Sequence, residues 1–228
     1  MYPLTKRLFD ILFAAIGLLL LSPLLLPIIL LLRITGEGEV FYRQKRVGFK
    51  NGHFGIWKFA TMLKNSPNMG TGSLTLRNDP RVTPMGGFLR KTKINELPQL
   101  INVLIGEMSF VGPRPQMQVD FDVYPPEVRA HIYDVTPGIT GIGSIIFRDE
   151  ERLLSQPGIE PKAFYAQHIA PYKGALEMWY LRRRSFYTDT MILLLTAWAI
   201  VSSESQLHFR VFSDLPALPA VLTALRLP

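Results

Sequence analysis

The sequence predicts an α+β protein, with an N-terminal re-entrant membrane helix-break-helix followed by a compact, mainly helical domain that carries a short β-hairpin and interfacial amphipathic helices. Three observations predict this. An uncharged, Leu-dominated run of about 22 residues extends from Ile11 to Leu32, long enough to enter a bilayer whose hydrocarbon core is about 30 Å thick. Its middle carries Ser22-Pro23 and then Pro27, and proline both removes an amide donor and bends a helix. Beyond Gly36-Glu37-Gly38 the composition changes to mixed polar and aromatic, with apolar residues at helical spacing outnumbering the short alternating runs that signal strands. The boundaries that follow are 1–35 for the membrane segment, 36–205 for the main domain and 206–228 for an apolar tail whose fold the sequence leaves open.

Basic residues flank the apolar run on both sides, Lys6 and Arg7 before it and Arg33, Arg43, Lys45 and Arg46 after it. A spanning helix shows a one-sided bias. Both ends are therefore expected on one face of the membrane, with Lys6, Arg7, Arg33, Arg43 and Arg46 near anionic headgroups and the Ser22 hydroxyl satisfying a backbone group freed by Pro23. The competing reading is a plain spanning helix, since proline is common in membrane helices. No small-x-small site follows the run, which disfavours a cleaved signal peptide.

The formal charge of +7 calls for an anionic partner: nucleic acid, an anionic lipid surface or a phosphorylated substrate. A hydrophobic content of 48% favours the membrane over nucleic acid, which has no use for the apolar N-terminus. Cysteine is absent, excluding disulfides and thiolate chemistry. The four histidines, His53, His131, His168 and His208, are scattered, so a zinc site is not expected.

Val40 to Tyr42 and Phe54 to Phe59 read as strands joined through the Lys50-Asn51-Gly52 turn. Asn65 to Asn78, rich in Gly, Ser, Asn and Thr, reads as a loop. Leu97, Leu100, Ile101 and Leu104 recur at helical spacing with Gly106 as a stop, predicting a helix over 95–105 with Asn95 as N-cap and Pro98 in its first turn. Glu96 then sits at the positive end of that helix. Gly112-Pro113-Arg114-Pro115 forms a rigid turn that fixes the direction of Arg114. A short helix is expected over 125–133, a turn over 137–141, a strand over 143–147 and a largely helical stretch over 161–184. Met191 to Val201 is apolar but too short to span, which assigns it to the interface or the core.

Several of these segments, in order, resemble the bacterial sugar transferases, the monotopic phosphoglycosyl transferases. The matching pieces are Lys6-Arg7-Leu8-Phe9-Asp10, Ser22-Pro23, the run from Phe41 to Gly48, Lys58-Phe59 with Thr61-Met62, Asp79 to Thr83, Leu89 to Thr92, Glu96 to Leu100, Met108 to Pro115 and Pro137 to Gly141. The resemblance implies a catalytic domain over 36–205 that transfers a sugar-1-phosphate from a nucleoside diphosphate sugar, taken as a UDP-sugar, to a polyprenyl phosphate such as undecaprenyl phosphate. That reaction initiates membrane-assembled glycans: exopolysaccharide, capsule, O-antigen or glycoprotein. It further implies Mg2+ as cofactor, a monotopic placement on the cytosolic face of the bacterial inner (cytoplasmic) membrane, contact with anionic lipid, and compatibility with a homo-oligomer.

The family carries an Asp-Glu pair at the helix start, its Asp acting as nucleophile; this chain reads Asn95-Glu96. An amide has no ionised oxygen with which to attack phosphorus. Three explanations stand open: Glu96 is itself the nucleophile; another carboxylate (Asp149, Glu150 or Asp79) folds in; or the chain is an Asp-to-Asn form that binds without turnover. Glu96 is the expected essential carboxylate, as metal ligand or nucleophile. Phosphate needs charge neutralised by a planar fork of donors, so Arg114 is the first candidate, Arg90 and Arg148 the next, with Lys58 following the same logic. Ala60 stands where the family commonly has Arg, and Ile142 to Phe147 departs from the usual Trp-containing version, which bears on the choice of sugar or nucleotide.

Overall fold

The computed structural model describes residues 2–35, 37–69, 78–202 and 205–224. The central part of the expected 65–78 loop, residues 70–77, lies outside them. Twelve α-helices and four short strands are described: α1 Tyr2–Ile34, β1 Phe41–Val47, β2 His53–Phe59, α2 Pro84–Lys91, α3 Gln99–Ile105, β3 Ser109–Val111, α4 Gln118–Phe121, α5 Pro126–His131, β4 Gly138–Thr140, α6 Ile142–Ile146, α7 Glu150–Leu154, α8 Pro161–Phe164, α9 Ala170–Arg183, α10 Phe186–Val201, α11 Leu207–Val211 and α12 Ala220–Ala224. The mixed class is as expected.

α1 is the one described helix long and apolar enough to cross a membrane. Its helical assignment continues through Pro23 and Pro27, so the expected break at Ser22-Pro23 is corrected to an uninterrupted helix. The local reason is visible: Ser22 donates its hydroxyl to the Leu19 carbonyl at 2.7 Å, the carbonyl that Pro23, four residues on, has no N–H to serve.

Both halves of α1 lie against the body. Ala14 is fully buried against Ile56, Val103 and Met108, while Ile28 and Leu32 pack on Phe59 and Leu89. Leu19, Leu20, Leu26 and Leu30 between and around these anchors stay exposed. Lys6 and Arg7, expected beside lipid headgroups, are instead consumed by the fold. Arg7 donates to the carbonyls of Val103 (2.6 Å) and Leu104 (2.8 Å) at the C-terminal end of α3, where carbonyls run short of intrahelical partners. Lys6 and the Tyr2 hydroxyl both reach Asp189 on α10, whose other oxygen accepts from the buried Tyr180 of α9. Asp10 accepts from the Phe110 amide of β3.

β1 and β2 form the predicted antiparallel hairpin, in register from Phe41 opposite Phe59 to Val47 opposite His53. Lys50 and Asn51 at its turn take φ of 53° and 58°, the left-handed conformation such turns require. The expected turn over 137–141 is instead β4, paired in parallel with β3, Ser109 opposite Gly138 and Val111 opposite Thr140. A Cβ on Gly138 would fall 2.1 Å from the Gly112 nitrogen, so the two chains approach too closely for any side chain. The expected strand over 143–147 is the helix α6; its four buried residues, Ile142, Gly143, Ile145 and Ile146, form a continuous apolar run that periodicity alone cannot assign.

The main core gathers α5, α6, α9 and α10 around Ile132, Ile146, Ile169, Leu176 and Ile192. The C-terminal tail joins it through Phe212 and Leu222, the latter with no exposure. α10 keeps an exposed apolar face with Leu193, Leu194, Trp198, Ile200 and Val201, as expected of an interfacial helix, and Phe186 at its start meets Phe9 of α1 at 5.2 Å between ring centroids.

Removing Asp189 strands Lys6, Tyr2 and Tyr180 together. Asp189→Ala should cost about 3 kcal/mol, the loss typical when one partner of a buried ion pair is deleted, and lower Tm by roughly 6–12 °C for a chain of this size. Thermal unfolding of the detergent-solubilised variant checks this; an unchanged Tm would deny α1 its polar anchor.

Candidate active site

The predicted helix over 95–105 divides into two pieces. Ile94–Glu96 forms a single tight turn entered through Lys93 at φ 60°, and α3 begins only at Gln99, with Pro98 ahead of it. Asn95 is therefore not an N-cap: it lies inside the turn, 6% exposed, with its Oδ1 buried and without a hydrogen-bond partner. Because α3 starts late, its buried face shifts to Gln99, Leu100, Asn102 and Val103. Asn102 ties this helix to β2, donating to the Gly55 carbonyl and accepting from the Trp57 amide.

That junction aims Lys58 of β2 and the tight turn at the same point. Glu96 Oε1 accepts from Arg114 at 2.6 Å and from Lys58 at 3.2 Å. The Glu96 side chain retains 18% of its exposure. Burial opposes its charge, but Arg114 and Lys58 outweigh that and hold the carboxyl well below the usual range. Burial lowers Lys58 to about 8 despite Glu96. Arg114 is fixed from several sides: its carbonyl accepts from the Tyr133 hydroxyl at 2.9 Å, and its guanidinium also donates to the Ile139 carbonyl at 3.3 Å.

These groups line a cleft of about 2300 Å³, which also receives Arg90, Arg148 and Arg46. All of the sequence-nominated cations thus reach one cavity, with different engagements. Arg90 is paired with Glu151 at 2.7 Å, whereas the Arg148 Nη1 is buried with no hydrogen-bond partner. Arg46, expected near headgroups, turns inward, donating to Gln44 and to the Pro115 carbonyl; burial, and then Arg114, lower it to about 10. Of the alternative carboxylates, Asp79 is paired with Arg81 at 2.6 Å and Glu150 with Lys173, while Asp149 meets Arg152 at 3.8 Å. Glu96 is the one held between two cations.

Sequence reading missed Glu177. It lies within α9, only 4% exposed, and lines the same cleft. Its Oε1 sits where a Cβ on Gly143 would fall 2.6 Å away, and its Oε2 is buried without a hydrogen-bond partner. Burial raises the carboxyl to about 8, against the opposing pull of Lys173 and the backbone amides of Arg114 and Gly143. A charged residue in a run of buried apolar positions, Leu176 to Tyr180, was the available signal.

Among the described residues no group of three or more His, Cys, Asp or Glu is placed to hold a metal. The donor set nevertheless fits Mg2+: hard oxygens from Glu96 and from the unpartnered Asn95 amide suit an ion that usually takes one or two protein ligands and completes its shell with phosphates and water.

The cleft thus joins cations to a carboxylate held ionised between two of them, in a body packed against a long apolar helix. The sequence model of the bacterial sugar transferase family matches residues 1–203, and the chain belongs to that family. It is 32% identical over 215 residues to the exopolysaccharide production protein ExoY of Rhizobium meliloti (strain 1021), covering 88% of this chain and 87% of that protein. It is 42% identical over 144 residues to the UDP-glucose:undecaprenyl-phosphate glucose-1-phosphate transferase of Escherichia coli (strain K12), covering 62% of this chain and 31% of the relative. It is 40% identical over 147 residues to the UDP-N-acetylgalactosamine-undecaprenyl-phosphate N-acetylgalactosaminephosphotransferase of Aeromonas hydrophila, covering 64% and 34%. The chain thus spans most of the first relative and about a third of the other two.

Glu177 gives stability a pH dependence. Its folded value of about 8 exceeds its ordinary 4.5, so the folded state binds more protons across that window. Stability should therefore fall from about pH 4.5 to about pH 8, by up to roughly 1.4 kcal/mol per unit, and level off above. Glu177→Gln removes this component. The Tm difference between variant and wild type should widen from pH 5 to pH 8; a constant difference would contradict the assignment.

Proposed function

We propose that this protein transfers a sugar-1-phosphate from a UDP-sugar to undecaprenyl phosphate, initiating a membrane-assembled glycan such as an exopolysaccharide. The observation that carries the reading is Glu96 between Arg114 and Lys58 on the floor of a cationic cleft, in a chain of the bacterial sugar transferase family. In the reaction a P–O bond forms between the acceptor and the sugar-bearing phosphorus, and the bond to the departing UMP breaks. Such transfer depends on charge neutralisation and in-line placement more than on covalent help from the protein.

Arg114 is the principal diphosphate ligand: its planar fork is held at the backbone by Tyr133 and faces the cleft. Lys58 and Arg46 add charge beside it, and Arg90 and Arg148 line the same cleft. Glu96 is the carboxylate on which transfer depends, since no ionised oxygen exists at Asn95. Mg2+ would be held by Glu96 and the Asn95 amide oxygen together with substrate oxygens and water; bound there it neutralises diphosphate charge.

A monotopic placement on the cytosolic face of the inner membrane, with α1 bent at its internal prolines rather than broken and dipping into one leaflet, fits this chemistry, because the acceptor's phosphate lies at the interface. Supporting it, α1 touches the body at Gly17, whose Cβ position is 3.3 Å from Leu100, and again at Leu25, in the cluster of Phe59 and Leu89. At 1.5 Å per residue the free stretch between is roughly 10 Å, a third of a bilayer core. The exposed apolar face of α10 extends the same surface toward lipid.

UMP release from UDP-sugars by the purified protein, with Mg2+ and undecaprenyl phosphate, tests the function; no release with any UDP-sugar overturns it. Glu96→Gln should reduce release at least about 100-fold while nucleotide still binds, because the variant keeps Arg114 and Lys58; undiminished turnover would remove Glu96 from the chemistry. The chain has no cysteine, so single substitutions Thr5→Cys and Glu37→Cys report topology directly. Both should label from the cytosolic side, and labelling of only one would refute the re-entrant placement.

A further inference from the structure

Three polar atoms in one corner of the cleft are buried without hydrogen-bond partners: Ser144 Oγ, Arg148 Nη1 and Glu177 Oε2. Ser144 lies on α6 and Arg148 two residues past its end, and both line the cleft. Glu177 comes from α9, with its carboxyl against Gly143 of the same helix. Folded proteins seldom leave buried polar atoms unpaired, and each such group costs about 1–3 kcal/mol. Three in contiguous positions, all lining a cavity, mark a place where a ligand supplies the missing bonds.

We propose that Ser144, Arg148 and Glu177 form the subsite that reads the hydroxyl groups of the transferred sugar. This rests on the sugar-phosphate transferase reading above. The chemistry of the three atoms selects a sugar over a second phosphate. A guanidinium N–H donates, a hydroxyl does both, and a carboxyl, ionised or protonated, keeps an acceptor oxygen for which an ionised phosphate has no donor to offer. Sugar hydroxyls both donate and accept, which suits this mixed set. Burial keeps the Glu177 carboxyl protonated at neutral pH, which lets it donate as well. Lys173, Tyr124 and Tyr133 are the other titratable groups acting on it or influenced by it.

Position agrees with chemistry. Gly141, which opens α6, is packed so tightly on Gly112 that a Cβ there would lie 2.4 Å from the Gly112 carbonyl oxygen. Gly112 is two residues before Arg114. A ligand whose phosphate rests on Arg114 therefore presents its neighbouring group to α6. Ser144 of the subsite also falls in the segment Ile142 to Phe147, where this chain departs from the usual family pattern.

Calorimetric titration of the full-length, detergent-solubilised protein separates the parts. The probes are UMP, UDP and the UDP forms of glucose, galactose, N-acetylglucosamine and N-acetylgalactosamine. Wild type should bind at least one UDP-sugar more tightly than UDP. Ser144→Ala should lower that UDP-sugar's affinity about tenfold, and Glu177→Gln should also reduce the sugar-dependent increment, while UMP and UDP affinities stay within about twofold. Equal weakening of UMP and UDP-sugar, or an increment untouched by Ser144→Ala, would overturn the proposal. Ser144→Ala removes one oxygen from a cleft-lining position, so it keeps the test decisive where the Glu177 variant is unstable. Because the readout is binding, the subsite is judged even if wild type releases no UMP, the result that would sink the transferase reading alone; failure to bind any nucleotide sinks both.

Discussion

An ionised carboxylate shielded from water must be paired, and here that requirement draws three separate segments onto one point. Glu96 comes from a tight turn, Lys58 from the hairpin strand β2, and Arg114 from the rigid segment after β3. Glu96 and Lys58, at 18% and 15% side-chain exposure, would be costly to leave charged and unpaired, whereas Arg114, at 36%, keeps contact with solvent. Glu96 offsets part of the charge of Arg114 and Lys58, and the cations lining the cleft outnumber its carboxylates.

The turn that presents Arg114 is itself constrained. Gly112, Gly138 and Gly141 cross with no space for side chains, which seats β4 and α6 directly behind the arginine. Tyr133 then holds the Arg114 carbonyl, and Glu177 closes the back of α6. The membrane helix is tied to the same frame: Asp10 to the β3 amide of Phe110, and Lys6 and Tyr2 to Asp189, which in turn holds Tyr180 behind β3. Positioning at the lipid surface and positioning of the phosphate ligands are thus functions of one packed unit.

Much of this was legible in advance. Alternation and the Lys50-Asn51-Gly52 turn predicted the hairpin, and apolar length predicted α1. Ordered motif residues predicted that Glu96, Arg114, Lys58, Arg90 and Arg148 belong to one site, and all line one cleft. The misreadings share a cause. The stretch 142–147 is apolar nearly throughout, so strand and helix look alike. Lys6, Arg7 and Arg46 were assigned to headgroups because basic residues beside an apolar run usually lie there; tertiary partners recruited them instead. Pro23 was read as a break because its lost hydrogen bond is evident in sequence, whereas its compensation is a matter of one side-chain rotamer.

The sequence by itself determined the membrane attachment, the family and the identity of the charged residues, because these depend on composition, length and the order of short motifs. Only the tertiary structure decided which cations face the carboxylate, which are spent on backbone carbonyls, and that Glu177, distant in sequence and set among apolar residues, reaches the cleft. Pairing of charges is set by distances between elements far apart in the chain, and local periodicity carries no information about those distances.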